Sequence, residues 1–311
     1  MIGTITLNPC IDKTLMIEGF TYGGMNRVNQ KRADVSGKGI NVSIALTQLG
    51  MPVKTFGINY KEGSQTLREE LQKNGIDYQA VLVDGVLREN IKVMDMKTCI
   101  TTELNQKGDY VSEEKLLEFG RMIDNNLGDL EILVVTGSVP QGVNKEYYKQ
   151  LIEKANAKGV KVILDAEGEF LLKGMEGKPY LIKPNLYEFE TAFGMEGKGI
   201  KEVLQICRKI IEDGIKVVCV SMGDEGALIA DKDEAYICRP TELDIKGTQG
   251  AGDSLVAGIC IAMEHGLPIS EMLRYGVATA QGSLIREGTQ LCTKEDFEIY
   301  QKLLTIEKIE N

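Results

Sequence analysis

Short, continuously apolar runs alternate with amphipathic stretches for most of this chain, and that rhythm limits the fold more than any other feature. Residues 2–7, 53–58, 132–136, 160–165, 180–183 and 217–221 read as compact strands. Between them, residues 40–49, 65–73, 113–127, 145–158 and 200–213 carry apolar side chains at helical spacing. Strands that are apolar throughout must be covered on both faces, and parallel neighbours need a crossover long enough for a helix. The pattern predicts an α/β fold with a mainly parallel sheet covered by helices. Residues 252–304 read as mostly helical. A chain of 311 residues, 43% of them hydrophobic, can fill a large core, and no repeat or Pro-rich linker divides it.

Two stretches leave the rhythm. Residues 13–35 and 87–104 read as strand pairs with no helix between their strands. Four such strands can form a small second sheet. Ligands of open α/β sheets bind beyond the carboxyl ends of the strands, so this sheet would lie over that crevice as a lid. Two separate surface hairpins are the alternative.

Charge narrows the function. Lys and Arg number 36 against 46 Asp and Glu, a formal net charge of −10. Nucleic-acid and anionic-membrane binding need broad basic surface, so neither is expected. A small anionic ligand stays compatible, because a few clustered cations override the global sign locally. The single histidine, His265, leaves Ser-His-Asp catalysis and multi-histidine zinc sites almost nothing to work with. The seven cysteines include no C-x-x-C pair, their number is odd, and several sit in apolar runs. They read as buried free thiols of a reducing compartment. Asp12, Lys13 and Glu18 interrupt the first twenty residues, which lack a signal-peptide core, and no apolar run approaches a membrane span. A cytoplasmic protein is expected.

The strongest chemical signal is DIKGTQGAGDSLVAG (244–258). Gly247, Gly250 and Gly252 precede Asp253, and an apolar helix follows at once. A glycine-rich turn opening a helix aims unpaired N–H groups at one point, where the helix dipole adds positive potential. Such a turn suits a phosphoryl group, although its spacing is that of neither a Walker loop nor a dinucleotide fingerprint. Asp253 has two readings: an N-cap for its own helix, or the base that takes a proton from an attacking hydroxyl. The helix N-terminus should lower its pKa. A loose phosphoryl-transfer transition state tolerates this, because positioning outweighs basicity there.

Other segments point the same way, each with a plain alternative. SGKGIN (36–41) leads into a helix, with Gly37 and Gly39 flanking Lys38 and Asn41 one step inside; it can also be an ordinary loop-to-helix turn. NPCID (8–12) closes the first strand and leaves Asp12 at its carboxyl end, placed to bind sugar hydroxyls or to cap a turn. In KPNLYE (183–188), Asn185 and Glu188 have the spacing of a capping box, or form a polar pair that orients Mg²⁺ through water beside a nucleotide. Arg27, Arg88 and Lys92 on the lid strands are scattered surface cations or a grip for an anionic substrate.

NPCID, SGKGIN, TGSVP (136–140), KPNLYE, VSMGDEG (220–226) and GTQGAGDSLVAG follow one another along almost the whole chain. Together they resemble the PfkB (ribokinase-like) carbohydrate kinase family. The resemblance implies a ribokinase-like three-layer α/β/α domain over residues 1–311, with a four-stranded β lid supplied by insertions at 13–35 and 87–104. It also implies Mg²⁺-dependent transfer of the γ-phosphoryl group of ATP. Carried over, Asp253 is the expected catalytic base, with Gly250, Ala251 and Gly252 as the anion hole. Asn185 and Glu188, after Lys183, match the Mg²⁺/phosphate motif, while Ser221, Gly223 and Gly226 match nucleotide-lining positions. Asp12, Gly37, Lys38, Gly39 and Asn41 match sugar-contacting positions, with Ser138 nearby.

NP-x-x-D, NRV (26–28) and R-x-N-x-K (Arg88, Asn90, Lys92) resemble the phosphosugar branch, whose acceptors are ketohexose phosphates. R-x-N-x-K and TTELN (101–105) favour fructose 1-phosphate, whereas GTQLCTKEDF (288–297) is closer to the 6-phosphofructokinases. Tagatose 6-phosphate is a third acceptor to weigh, and a non-catalytic sugar-phosphate or nucleotide sensor a further alternative. Gln249, before GAGD, and Glu167, in DAEG (165–168), depart from the family pattern, and both are expected beside the nucleotide. Exposed lid edges favour a homodimer through the lid.

Overall fold

The computed structural model of the protein describes residues 1–194, 199–288 and 290–310, so residue 289 of the 288–297 segment lies outside the described residues. The N-terminal part runs β1 (Ile2–Thr6), β2 (Cys10–Ile17), β3 (Gln30–Ser36), α1 (Lys38–Gln48), β4 (Val53–Glu62), α2 (Ser64–Lys73) and β5 (Asp77–Val86). The middle adds β6 (Arg88–Asp95), β7 (Ile100–Asn105), α3 (Glu113–Asn126), β8 (Ile132–Thr136), α4 (Tyr147–Ala157), β9 (Lys161–Asp165) and α5 (Gly168–Glu176). Then come β10 (Leu181–Ile182), α6 (Leu186–Phe193), α7 (Ile200–Glu212), β11 (Val217–Ser221), β12 (Ala227–Ala230) and β13 (Ala235–Cys238). The chain closes with α8 (Ala251–Glu264), α9 (Ile269–Leu284), α10 (Lys294–Leu303) and β14 (Ile306–Lys308).

Among the described residues the main sheet has ten strands, in the order β14-β13-β12-β11-β10-β9-β8-β1-β4-β5. Neighbours from β11 to β5 are all parallel. Every residue of β1 and β8 is buried, as continuous apolar strands at the centre of a parallel sheet must be. One group of helices packs α1 on α8, α8 on α9 and α9 on α10; another links α3, α4, α5 and α6. Helix α8 is buried from Asp253 through Met263, which is why its sequence is apolar on every side.

The structure adds an antiparallel edge of β12, β13 and β14 and the strand β5, none of which the apolar rhythm of the sequence predicts. β5 and β14 end the sheet and are partly exposed, so neither carries the unbroken apolar run that marks a central strand.

The two irregular stretches form one four-stranded sheet, β3-β2-β6-β7, rather than two hairpins. Parallel pairing of β2 with β6 joins them, in the register Cys10↔Arg88, Asp12↔Asn90 and Thr14↔Lys92. Side chains alternate across a sheet, so these six share one face, and Cys10, Asp12, Thr14 and Asn90 are buried on it. This corrects the placement of Asp12: β1 stops at Thr6, and Asp12 is a lid residue. Among the described residues no helix is long and apolar enough to cross a membrane.

Candidate active site

The parallel strands deliver polar groups at their carboxyl ends. Thr6, Thr136, Asp165 and Ser221 end β1, β8, β9 and β11, and Lys183 follows β10. This is where ligands of open α/β sheets bind, and the lid lies over part of it. Two cavities open here. A lid-side cavity of about 640 Å³ is walled by lid residues including Asp12, Arg88, Asn90 and Lys92. A helix-side cavity of about 840 Å³ lies against α9 and the segment 240–248. Lys38, Glu188, Gly250 and Asp253 line both, so the cavities meet at these residues.

The junction is built by two helix starts. Gly250 caps α8 in the left-handed region, at φ 75°, where a side chain is strained and glycine is not. Asp253 is the third residue of α8 and not its N-cap, which corrects the capping alternative. Gly37 caps α1, and Asn41 in its first turn donates Nδ2 to Asp253 Oδ2 at 2.8 Å. Gly39 lies beneath this turn, where a Cβ would meet the carbonyl oxygen of Ile5. It therefore serves the packing of α1 on β1 and does not line either cavity.

Electrostatics at the junction differ from the sequence expectation. Burial pushes the Asp253 carboxyl up to about 6; Asp165 adds to this, while Lys38, Asn41 and Lys183 oppose it. The direction is opposite to the expected one, because only 7% of Asp253 is exposed and burial disfavours its charged form. Asp165 is fully buried, and burial alone would raise its pKa, but Lys183 and Lys38 hold it below the usual carboxylate value. Its Oδ1 lies 3.1 Å from Lys38 Nζ and 3.4 Å from Lys183 Nζ, and Thr136 donates to Oδ2 at 3.3 Å. Burial works against the charge on Lys38, yet Asp165, Asp253 and Glu188 outweigh it and raise its pKa. In the sequence, DAEG stands out only as a departure from the family pattern. A carboxylate at a strand's carboxyl end was the available signal for Asp165.

The lid-side cavity is polar. Asp12 Oδ1 accepts from Asn90 Nδ2 at 2.9 Å, and Oδ2 accepts from Gln249 Nε2 with Lys92 Nζ 3.5 Å away. Arg88 is fixed by Asn8 O at 2.9 Å from Nη2 and by Asn90 Oδ1 at 3.1 Å from Nη1. Asn8 Nδ2 donates to Ser138 Oγ at 3.2 Å. Thr6 Oγ1, Asn8 Oδ1 and Asn41 Oδ1 are buried without a hydrogen-bond partner. Buried polar atoms rarely stay unpaired, and these residues line the cavity, so hydroxyl donors of a ligand suit them. Burial and the neighbouring Asp12 push the Cys10 thiol up to about 12, which keeps it neutral.

Gly252, Ala251, Lys183, Asn185, Ser221, Gly223 and Gly226 all line the helix-side cavity. Its walls are otherwise largely apolar, with Leu243, Ile245, Val277, Ala280 and Leu284. Asn185 and Glu188 do form a capping box: Asn185 Oδ1 accepts from Glu188 N at 2.8 Å, and Glu188 Oε2 accepts from Asn185 N at 2.9 Å. Two placements need correction. Gln249 and Glu167 line the lid-side cavity and not the helix-side one. Arg27 sits in the exposed segment between β2 and β3 and is not brought to either cavity.

The model of the pfkB family carbohydrate kinases matches residues 5–296. The chain belongs to the pfkB family. It is 32% identical over 295 residues to a 1-phosphofructokinase of Bacillus subtilis (strain 168), covering 95% of each chain. A 1-phosphofructokinase of Borreliella burgdorferi is 30% identical over 312 residues, covering 100% of this chain and 99% of the relative. Among solved structures, phosphofructokinase-2 from Escherichia coli in complex with substrates and products superposes with a TM-score of 0.91 at 26% identity, covering 97% and 98% of the two chains. A Thermotoga maritima protein described as a possible 1-phosphofructokinase gives a TM-score of 0.91 at 30% identity over 99% of both chains. The pfkB segments recognised in the sequence thus lie within one matched span, and the ribokinase-like fold with its lid is the observed one.

Proposed function

We propose that this pfkB carbohydrate kinase transfers the γ-phosphoryl group of ATP to fructose 1-phosphate. The observation that carries the reading is the meeting of a polar cavity and a largely apolar one at Asp253. The relatives named 1-phosphofructokinase favour fructose 1-phosphate over tagatose 6-phosphate and fructose 6-phosphate. A phosphosugar in the lid-side cavity offers hydroxyls to Thr6, Asn8, Asn41 and Asp12, and its phosphate to Lys92 and Arg88. The base of the nucleotide packs on the apolar wall of the helix-side cavity, bringing its phosphates to the N–H groups that open α8.

Asp253 then accepts the proton of the attacking hydroxyl, with Asn41 holding its carboxylate in place. A pKa near 6 leaves it ionised at neutral pH yet basic enough to take the proton. Lys38, between Asp253 and Asp165, faces the charge of the transferring group. Among the described residues no three or more His, Cys, Asp or Glu are grouped to hold a metal. Glu188 at the junction and Asn185 fit Mg²⁺ held through water and the nucleotide phosphates, as this hard ion commonly is. When bound, the ion would neutralise phosphate charge. Carboxylate and amide oxygens are the donors it takes.

Two further readings accompany this one. The chain acts as one domain over 1–311, with a lid of β2, β3, β6 and β7 that extends the expected insertions 13–35 and 87–104 to include Asp12, and two copies pair through their lids. Strand β7 is exposed along its whole length at a sheet edge, and Tyr22, Met25, Ile100 and Leu104 are exposed apolar lid residues. Six buried free thiols suit a cytoplasmic setting. The test is a panel of fructose 1-phosphate, tagatose 6-phosphate and fructose 6-phosphate with coupled detection of ADP, alongside sedimentation for the dimer. Rapid turnover of fructose 1-phosphate supports the reading; turnover of an unphosphorylated sugar alone would refute it.

A further inference from the structure

Gln249 stands immediately before Gly250 in the turn that opens α8, and its side chain points away from the helix-side cavity. Its Nε2 donates to Asp12 Oδ2 across 237 positions of sequence, joining the body to lid strand β2. The other polar contacts of the Asp12 carboxylate come from the lid: Asn90 Nδ2 at 2.9 Å and Cys10 Sγ at 3.4 Å on Oδ1, and Lys92 Nζ 3.5 Å from Oδ2. Arg88 on Asn8 O and Arg32 with Glu287 also connect lid and body, but neither engages residues 249–253.

We infer that Gln249 is a positioning residue that ties the lid carboxylate Asp12 to the turn carrying Asp253, so that an acceptor hydroxyl received by Asp12 is held in register with the base. A carboxylate offers about four acceptor sites, and the four surrounding groups approach them all. Lys92 is the loosest donor at Oδ2. Its place is the one an incoming hydroxyl takes, which frees the ammonium for the acceptor's phosphate while Gln249 keeps the carboxylate oriented. An amide suits this role better than a second cation would. It donates to Asp12 without cancelling the charge that attracts the hydroxyl.

The inference rests on the kinase reading for its kinetic consequence and on geometry alone for the tie itself, so two measurements separate them. In Gln249→Val, amide hydrogen exchange in β2 and β6 of the ligand-free protein should quicken about tenfold, the size of one lost charge-assisted hydrogen bond, while β1 and β8 keep their protection. The same variant should raise KM for fructose 1-phosphate about tenfold and move KM for ATP by less than about twofold. Gln249→Glu, nearly isosteric, sets like charges together and should raise the acceptor KM further than the valine does.

Unchanged lid exchange in Gln249→Val would overturn the tie. Altered exchange with an unchanged acceptor KM would overturn its part in acceptor placement. If the wild-type protein phosphorylates no ketohexose phosphate, the kinase reading fails while the exchange measurement still decides the tie.

Discussion

The two cavities that meet at Asp253 are built by different means. The lid-side walls are side chains with directed hydrogen bonds, Asn8, Asp12, Asn41, Arg88, Asn90 and Lys92, drawn from both lid and body. The helix-side walls set Leu243, Ile245, Val277, Ala280, Leu284 and glycine backbone beside polar groups such as Lys183, Asn185 and Ser221, all from the body. A ligand dense in hydroxyls and phosphate must be met by many placed donors and acceptors. A flat base needs shape and apolar area, and its phosphates can be met by main-chain N–H groups. Substitutions on the two sides should therefore act on different kinetic constants, and only the shared residues should act on both.

The sharpest test is at the junction. Asp253→Asn removes the proposed base and keeps its shape, so kcat should fall about a thousandfold, within the range of general-base losses. Sugar binding measured by titration calorimetry should be largely retained. Lys92→Met on the lid side should raise KM for fructose 1-phosphate about thirtyfold, as a lost charged hydrogen bond does. KM for ATP should stay within about threefold in the same assay; a comparable rise in both would break the division between the cavities.

The pH profile follows from Asp253. Its raised pKa means protonation, and loss of the proposed base, as pH drops below about 6. With one group responsible, kcat/KM should fall about tenfold per unit below that point. A flat acid limb down to pH 5 would remove Asp253 from the rate. The smallest effect is expected on the helix side. Leu284→Ala should raise KM for ATP about fivefold by removing part of an apolar wall, with KM for the acceptor unmoved in parallel assays.

Much of this site could be read from the chain beforehand. Gly250, Asp253, Lys38 and Asn41 were legible because a glycine-rich helix start has few uses, and two such starts, one carrying a lysine and the other an aspartate, have fewer. Arg88, Asn90 and Lys92 were legible as the R-x-N-x-K pattern of a lid strand, and the register with β2 puts them on one face with Asp12. Asp165 was harder to read, since its role depends on two lysines 127 and 18 positions away that only the sheet order brings to it. The pKa of Asp253 was read with the wrong sign. The helix start is local and visible, whereas the burial that raises this pKa comes from packing.

Sequence alone determined the alternation, the glycine turns and the alphabet of polar groups at strand ends, because these are short-range consequences of backbone sterics and hydrophobic period. Tertiary structure decided which of those groups face each other. It moved Asp12 onto the lid, kept Arg27 away from the cavities, turned Gln249 toward the lid-side cavity and buried Asp253. Each of these outcomes depends on strand register and layer packing between residues distant along the chain, and local pattern carries no information about that distance.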